Sequence, residues 1–259
     1  MILRLACAVA LMLPLAAATR PAGGQTVTGD QAPTTGPNAP TGPNAPAVLQ
    51  HFQMELKADS TDYGANWQAA VGAVTVGEFM TDKAKQTELY SEAERYARAA
   101  VKANPNDAEG HFALALALGR RAQSLGSRDR VKYAGEVRDH ALQALKIDST
   151  HAGALHVMGM WNAEIMRLSG VTRFFAKNLL GGKTFDQANW KDAERYLEGA
   201  VQQEPHRLTH HLYLGRVYAD AGDSARAREL LELVVKGPPS DYNDANYQKA
   251  AQEALSRLK

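Results

Sequence analysis

Cysteine is almost missing from this 259-residue sequence; the single one, Cys7, lies within an apolar leader. A chain without further cysteines builds no disulfide framework and carries no thiolate nucleophile once that leader is removed. An excess of charge is missing too, with 29 Lys and Arg against 28 Asp and Glu. Removal of Arg4 with the leader brings the basic count to 28 and the balance to zero. That argues against a nucleic-acid partner, which calls for a clustered surplus of Lys and Arg. Long apolar runs are confined to the start. Catalytic order is missing as well: no Ser-His-Asp arrangement and no nucleophile motif stands out, so a non-enzyme is expected, with no cofactor.

What is there begins with a targeting pattern. Arg4 supplies a positive start, Leu5 to Leu15 an apolar run, and Ala16-Ala17-Ala18 a small-residue cleavage site. The charge-free stretch ends at Arg20, short of the roughly 20 residues a membrane span needs. Export with cleavage after Ala18 is the expectation, to a periplasm or cell envelope if the source is bacterial. The alternative is an uncleaved, membrane-anchored adaptor. Residues 19–48 are rich in Pro, Gly, Thr and Asn and duplicate a hexamer, Thr35–Pro40 and Thr41–Pro46. Too few apolar side chains offset the ordering entropy there, so a disordered linker is expected.

From residue 49 to 259 the chain reads as all-α. The clearest unit is Leu208–Asp241, 34 residues long. It places Leu214-Gly215, Tyr218, Ala227, Leu231, Val234 and Pro239 at the spacing of a tetratricopeptide (TPR) repeat. Gly215 and Ala227 allow two antiparallel helices to approach, and Pro239 is expected to stop the second. The same grammar recurs backwards in units at 64–107, 108–151 and 152–207, with a capping helix over 242–259. The excess length of the earlier units falls, on this reading, between the paired helices at Met80–Thr87, Ser124–Arg130 and Gly170–Asp186. An α-solenoid of about four hairpins follows, with an inserted short helix.

The third unit adds specific residues. Met158-Gly-Met-Trp-Asn162 precedes Phe174-Phe-Ala-Lys-Asn-Leu-Leu-Gly-Gly182, Thr184-Phe-Asp-Gln-Ala188 and Ala193-Glu-Arg-Tyr-Leu197. This pattern resembles the regulator of microtubule dynamics family of TPR proteins, over roughly Trp67 to Leu258. In that family a tryptophan-bearing helix, an amphipathic inserted helix and a Gly-rich turn precede the next repeat. The family name implies a cytoskeletal role for its animal members, whereas the secretion-type leader here points elsewhere.

TPR arrays bind through the inward places of their first helices. These map to Gln68 and Gly72, Phe112 and Leu116, His156 and Met160, then Leu212 and Arg216. The row is partly apolar, and it suits a protein or peptide partner presenting an amphipathic helix or apolar segment. The alternative for Phe112 and Leu116 is burial by the neighbouring unit. Val171–Leu180, the inserted helix, could pack over the groove or touch a membrane surface. His206 and His210, four apart, are weak candidates for a metal site. Gly182-Lys183-Thr184 echoes a P-loop, but Lys177 stands where its first Gly belongs. The alternative function is an envelope enzyme or metal-binding protein on a helical-repeat scaffold.

Overall fold

The structure, a computed structural model, describes residues 39–125, 127–169 and 185–258. The leader, the segment Val171–Leu180 and the Gly182-Lys183-Thr184 turn lie outside the described residues. Ten α-helices occur among those described, with no strand. They are α1 (Ala45–Ala58), α2 (Tyr63–Gly77), α3 (Lys83–Ala103), α4 (Ala108–Ala122) and α5 (Ser127–Ile147). Then come α6 (Ala152–Arg167), α7 (Trp190–Gln203), α8 (Leu208–Ala221), α9 (Ser224–Lys236) and α10 (Asp244–Arg257). The hairpins α2/α3, α4/α5, α6/α7 and α8/α9 are the four repeats, and α10 is the cap.

Most helices start at a side-chain cap. Asp62, Asp82, Asp107, His151, Asn189 and Asp223 each accept from a backbone N–H of the first turn, using donors the helix cannot satisfy itself. The last hairpin turns on Gly222, whose φ of 94° is open only to residues tolerant of the left-handed region. The adjoining N–H of Asp223 donates to the Tyr218 carbonyl, closing the turn.

Inside the hairpins the packing is tight. A Cβ on Gly159 would stand 2.5 Å from Leu197 Cγ, and one on Gly215 3.1 Å from Leu231 Cγ. Thirteen of the fifteen residues of α2 are buried, which accounts for its lack of a polar stripe. α1 covers one side, α3 and α4 cover others, and the end of the chain reaches the α2 C-terminus.

Three expectations need correction. Residues 39–48 are not a linker: Ala39, Pro40, Gly42 and Ala45 are buried, and α1 starts at Ala45. Leu49 and Phe52 give this helix an apolar face, and Leu49 seats against Gly72. The excess length of the first two units goes mainly into their second helices, each of 21 residues against 13 in the last unit. Lys83–Thr87 and Ser127–Arg130 are helical, because good helix formers follow Asp82 and precede the apolar stripe. Nor does Pro239 end α9, which stops at Lys236 with Gly237 and Pro238 next.

Two glycines separate packing from propensity. Gly159→Val is expected to cost about 1–3 kcal/mol, since the new side chain meets Leu197 and the Ala193 carbonyl. Gly135→Ala, with open space around it inside α5, should stabilise by ~0.5–1 kcal/mol. Urea unfolding of both variants checks the pair, and equal effects would contradict the packing described.

Candidate functional site

The inward face is not an open trough, because the two ends of the array meet across it. Tyr242 N–H donates to the Thr41 carbonyl at 3.0 Å. Asn243 Nδ2 donates to the Thr75 carbonyl at 2.8 Å, and the Tyr247 hydroxyl donates to Glu78 Oε2 at 2.7 Å. Glu78 is paired with Arg120 of α4 at 2.5 Å, with side-chain exposures of 8% and 20%. Burial and the Glu78 charge push the Tyr247 phenol well above its ordinary value. Burial would lower Arg120, but the Glu78 charge overrides it and raises the guanidinium.

Beside this closure lies a cavity of about 330 Å³ between α4, α5 and α6. Leu116, Val157, Met160, Trp161 and Ile165 form apolar walls; Arg120, His156 and Tyr213 add polar atoms, with Arg130 and Glu164 also lining it. Trp161 is fixed by donating from Nε1 to the Ala134 carbonyl at 2.8 Å and by stacking on Phe185, 6.2 Å between centroids.

The structure therefore brings Leu116, His156 and Met160 together and separates the other inward residues. Gln68 is fully buried, and the backbone of Gly72 lies under Leu49. Phe112 packs against Gly153 and the His151 ring, so it is held by the neighbouring unit. Leu212 is buried with Tyr247 and Ala251 under the cap. Arg216 is half-buried, with its guanidinium over the Tyr213 ring. Arg120, Tyr213 and Trp161 were missing from the sequence-derived row. Arg120 was within reach, because it lies one helical turn beyond Leu116 on the same face.

The histidines form pairs rather than a metal cluster. His210 is buried and faces His156, Nδ1 to Nδ1 at 2.9 Å, while its Nε2 meets Glu204 Oε2 at 2.9 Å. His206 is exposed on the turn, so the two candidate ligands do not converge. Among the described residues no three His, Cys, Asp or Glu side chains are placed to hold a metal ion. His111 and His211, equivalent in their repeats, each reach a proline carbonyl, Pro105 and Pro205 respectively.

Electrostatics keep the His156–His210 pair neutral. Burial, the neighbouring ring and the charges of Arg120 and Arg207 hold His156 well below 6.5. Burial also lowers His210, against the pull of Glu204. Burial would raise the Glu204 carboxyl, but the His210 hydrogen bond and Arg207 hold it at about 2. Arg207 spans Glu204 and Asp241, at 2.9 and 3.0 Å.

Residues 42–259 match the family model described as regulator of microtubule dynamics protein 1-3. The chain belongs to that family. Regulator of microtubule dynamics protein 1 of Bos taurus is 23% identical over 199 residues, 76% of this chain and 62% of that protein. The Caenorhabditis elegans protein of the same name is 23% identical over 143 residues, 55% and 62% of the two chains. The chain thus spans about three fifths of the length of these relatives. Among solved structures, a thermophilic TPR protein of Thermus thermophilus gives a TM-score of 0.58 at 18% identity. The match covers 82% of this chain and 90% of that one. That likeness shows a TPR-like α-solenoid, the fold expected from the repeat spacing, and the family is the one the third unit resembles.

Two outcomes test this geometry. Arg120→Met is expected to cost about 3–5 kcal/mol in denaturant unfolding, because Glu78 is left charged and buried. Adding Glu78→Gln should recover part of that loss, and strict additivity would contradict the coupling. The pH dependence has two stages. His156 and His210 bind protons less well folded than unfolded, so their share of stability is present above about 6.5 and is lost as pH falls below it. Glu204 holds stability above its ordinary 4.5 that is lost as pH falls towards about 2. The denaturant midpoint should therefore drop on acidification through about pH 6. That first step should shrink in His156→Gln/His210→Gln, leaving the share of His140, which burial also lowers, and an unchanged step would remove His156 and His210 as its source.

Proposed function

We propose that this protein is an exported, non-catalytic scaffold whose α4–α6 cavity receives an apolar side chain of a protein or peptide partner. The observation that carries this reading is the cavity itself. It has an apolar wall of Leu116, Val157, Met160, Trp161 and Ile165 on the inward face of a helical-repeat fold. At about 330 Å³ it lies at the small end of ligand sites, the size for one anchoring side chain. Met160 gives the wall an adaptable thioether. Arg130 and Arg216 have no acidic partner among the described residues, which favours an acidic residue flanking the anchor. Export is supported by Arg4, the Leu5–Leu15 run and the Ala16–Ala18 site. The role in the relatives' name is not part of this proposal.

Panning a displayed random-peptide library on the purified protein supplies ligands for the test. Selected peptides should lose about tenfold affinity or more, ~1.4 kcal/mol, in Leu116→Glu and in Met160→Glu. They should bind Met54→Glu unchanged, since Met54 is 61% exposed on α1, far from these walls. Equal binding by both cavity variants, folded by circular dichroism, would discard the cavity as the site.

A further inference from the structure

We propose that the α4–α6 cavity selects a tyrosine or tryptophan of the partner, whose O–H or N–H donates to Nε2 of His156. This rests on the peptide-binding reading above and specifies the anchor it takes. The argument starts from a chain of hydrogen bonds whose roles are forced from one end. An ionised carboxylate only accepts, so Glu204 takes a proton donor from His210 Nε2 at 2.9 Å. A neutral imidazole has one donor and one acceptor nitrogen, which makes His210 Nδ1 an acceptor. The 2.9 Å contact to His156 Nδ1 then requires His156 Nδ1–H to donate. The remaining nitrogen, His156 Nε2, is therefore an acceptor.

That nitrogen has no hydrogen-bond partner among the described residues, and His156 is one of the residues that line the cavity. The groups facing it do not supply the missing donor. Tyr213 meets the ring edge-on at 5.1 Å and turns its hydroxyl to Glu78, 3.4 Å away. Arg120 is engaged by Glu78, and Arg130 donates to the Leu125 carbonyl. On α6 itself, Glu164 is an acceptor that pairs with Arg167. Solvent reaches this acceptor in the free protein, so a ligand that covers it without donating to it loses a hydrogen bond to water.

The cavity then sorts the side chains. Leu, Met and Phe fill it but bring no donor. Ser, Thr, Asn and Gln bring a donor but little apolar body. Asp and Glu, ionised, bring neither. Lys would place a cation near Arg120 and Arg130. Tyr and Trp combine both properties, each an apolar body with one donor at its tip, and Met160 and Trp161 offer sulfur and ring contacts to it.

Matched probes test this on the unmodified full chain. N-acetyl-tyrosinamide and N-acetyl-tryptophanamide are titrated alongside N-acetyl-phenylalaninamide and N-acetyl-O-methyltyrosinamide, with the Met160 methyl followed by NMR. The donor-bearing probes are expected to bind about tenfold tighter or more than the donorless pair. Long-range proton–nitrogen spectra should show His156 Nε2 unprotonated at neutral pH and shifted by the tyrosine probe. In His156→Phe the advantage of the donor should vanish. Equal binding of Tyr and O-methyl-Tyr probes at Met160 overturns this inference and leaves the peptide-binding cavity standing. If no probe moves the Met160 methyl, and the library peptides also ignore the cavity variants, both readings fall. Free 4-methylphenol binding as tightly as the tyrosine probe would overturn the peptide source in favour of a small phenol. The wild-type comparison decides the matter even if His156→Phe does not fold.

Discussion

A largely enclosed ion pair, Glu78 with Arg120, sits where the two ends of the array meet across the inward face. An isolated carboxylate in that position would be costly; here Arg120 and the Tyr247 hydroxyl both serve it. The pair ties the first repeat to the second, and Tyr247 ties both to the cap. Because the cap is drawn in, Leu212 is covered. Beside the closure lies the α4–α6 cavity. The closure withdraws Leu212 from the inward row, while Leu49 covers Gly72 and the neighbouring unit holds Phe112.

A second polar system, Glu204–His210–His156, runs into the same interior from the turn before α8. Arg207 bridges Glu204 to Asp241 and so connects it to the segment that leads into the cap. The charges are balanced over distance rather than pair by pair. Burial first, then the His210 ring, Arg120 and Arg207, disfavour a proton on His156, while Glu204 favours one, and the outcome is a neutral ring at the cavity wall. An array with overall charge near zero therefore holds a distinctly polarised interior.

The parts of the fold legible in the sequence were those set by local chemistry. Leu214-Gly215 against Ala227 and Leu231 declared a close helix pair, and the structure shows that approach. The unit starts read at Ala108 and Ala152 coincide with the first residues of α4 and α6. The inward places of α4 and α6 were readable to within one turn, which is why Leu116, His156 and Met160 appear and Arg120 did not. What could not be read depends on residues far apart. His156 and His210 are 54 positions apart, and Glu78 and Tyr247 are 169 apart. No spacing rule announces such pairs. The Thr41–Pro46 hexamer misled for a related reason. Its composition is that of a flexible linker, yet Tyr242 from the far end holds its backbone and α1 begins within it at Ala45.

Most helical-repeat arrays behave as stacks in which each unit leans only on its neighbours and trimming one end spares the other. The Tyr247–Glu78 and Asn243–Thr75 contacts give this chain the character of a clasped bracelet. The first hairpin to emerge during synthesis must wait for the final helix before its buried carboxylate is fully served, an interval on the order of ten seconds or more at usual elongation rates. Until then Glu78 stays hydrated and α2 keeps an uncovered end. Loss of the final turns would consequently be felt first at the opposite end of the molecule.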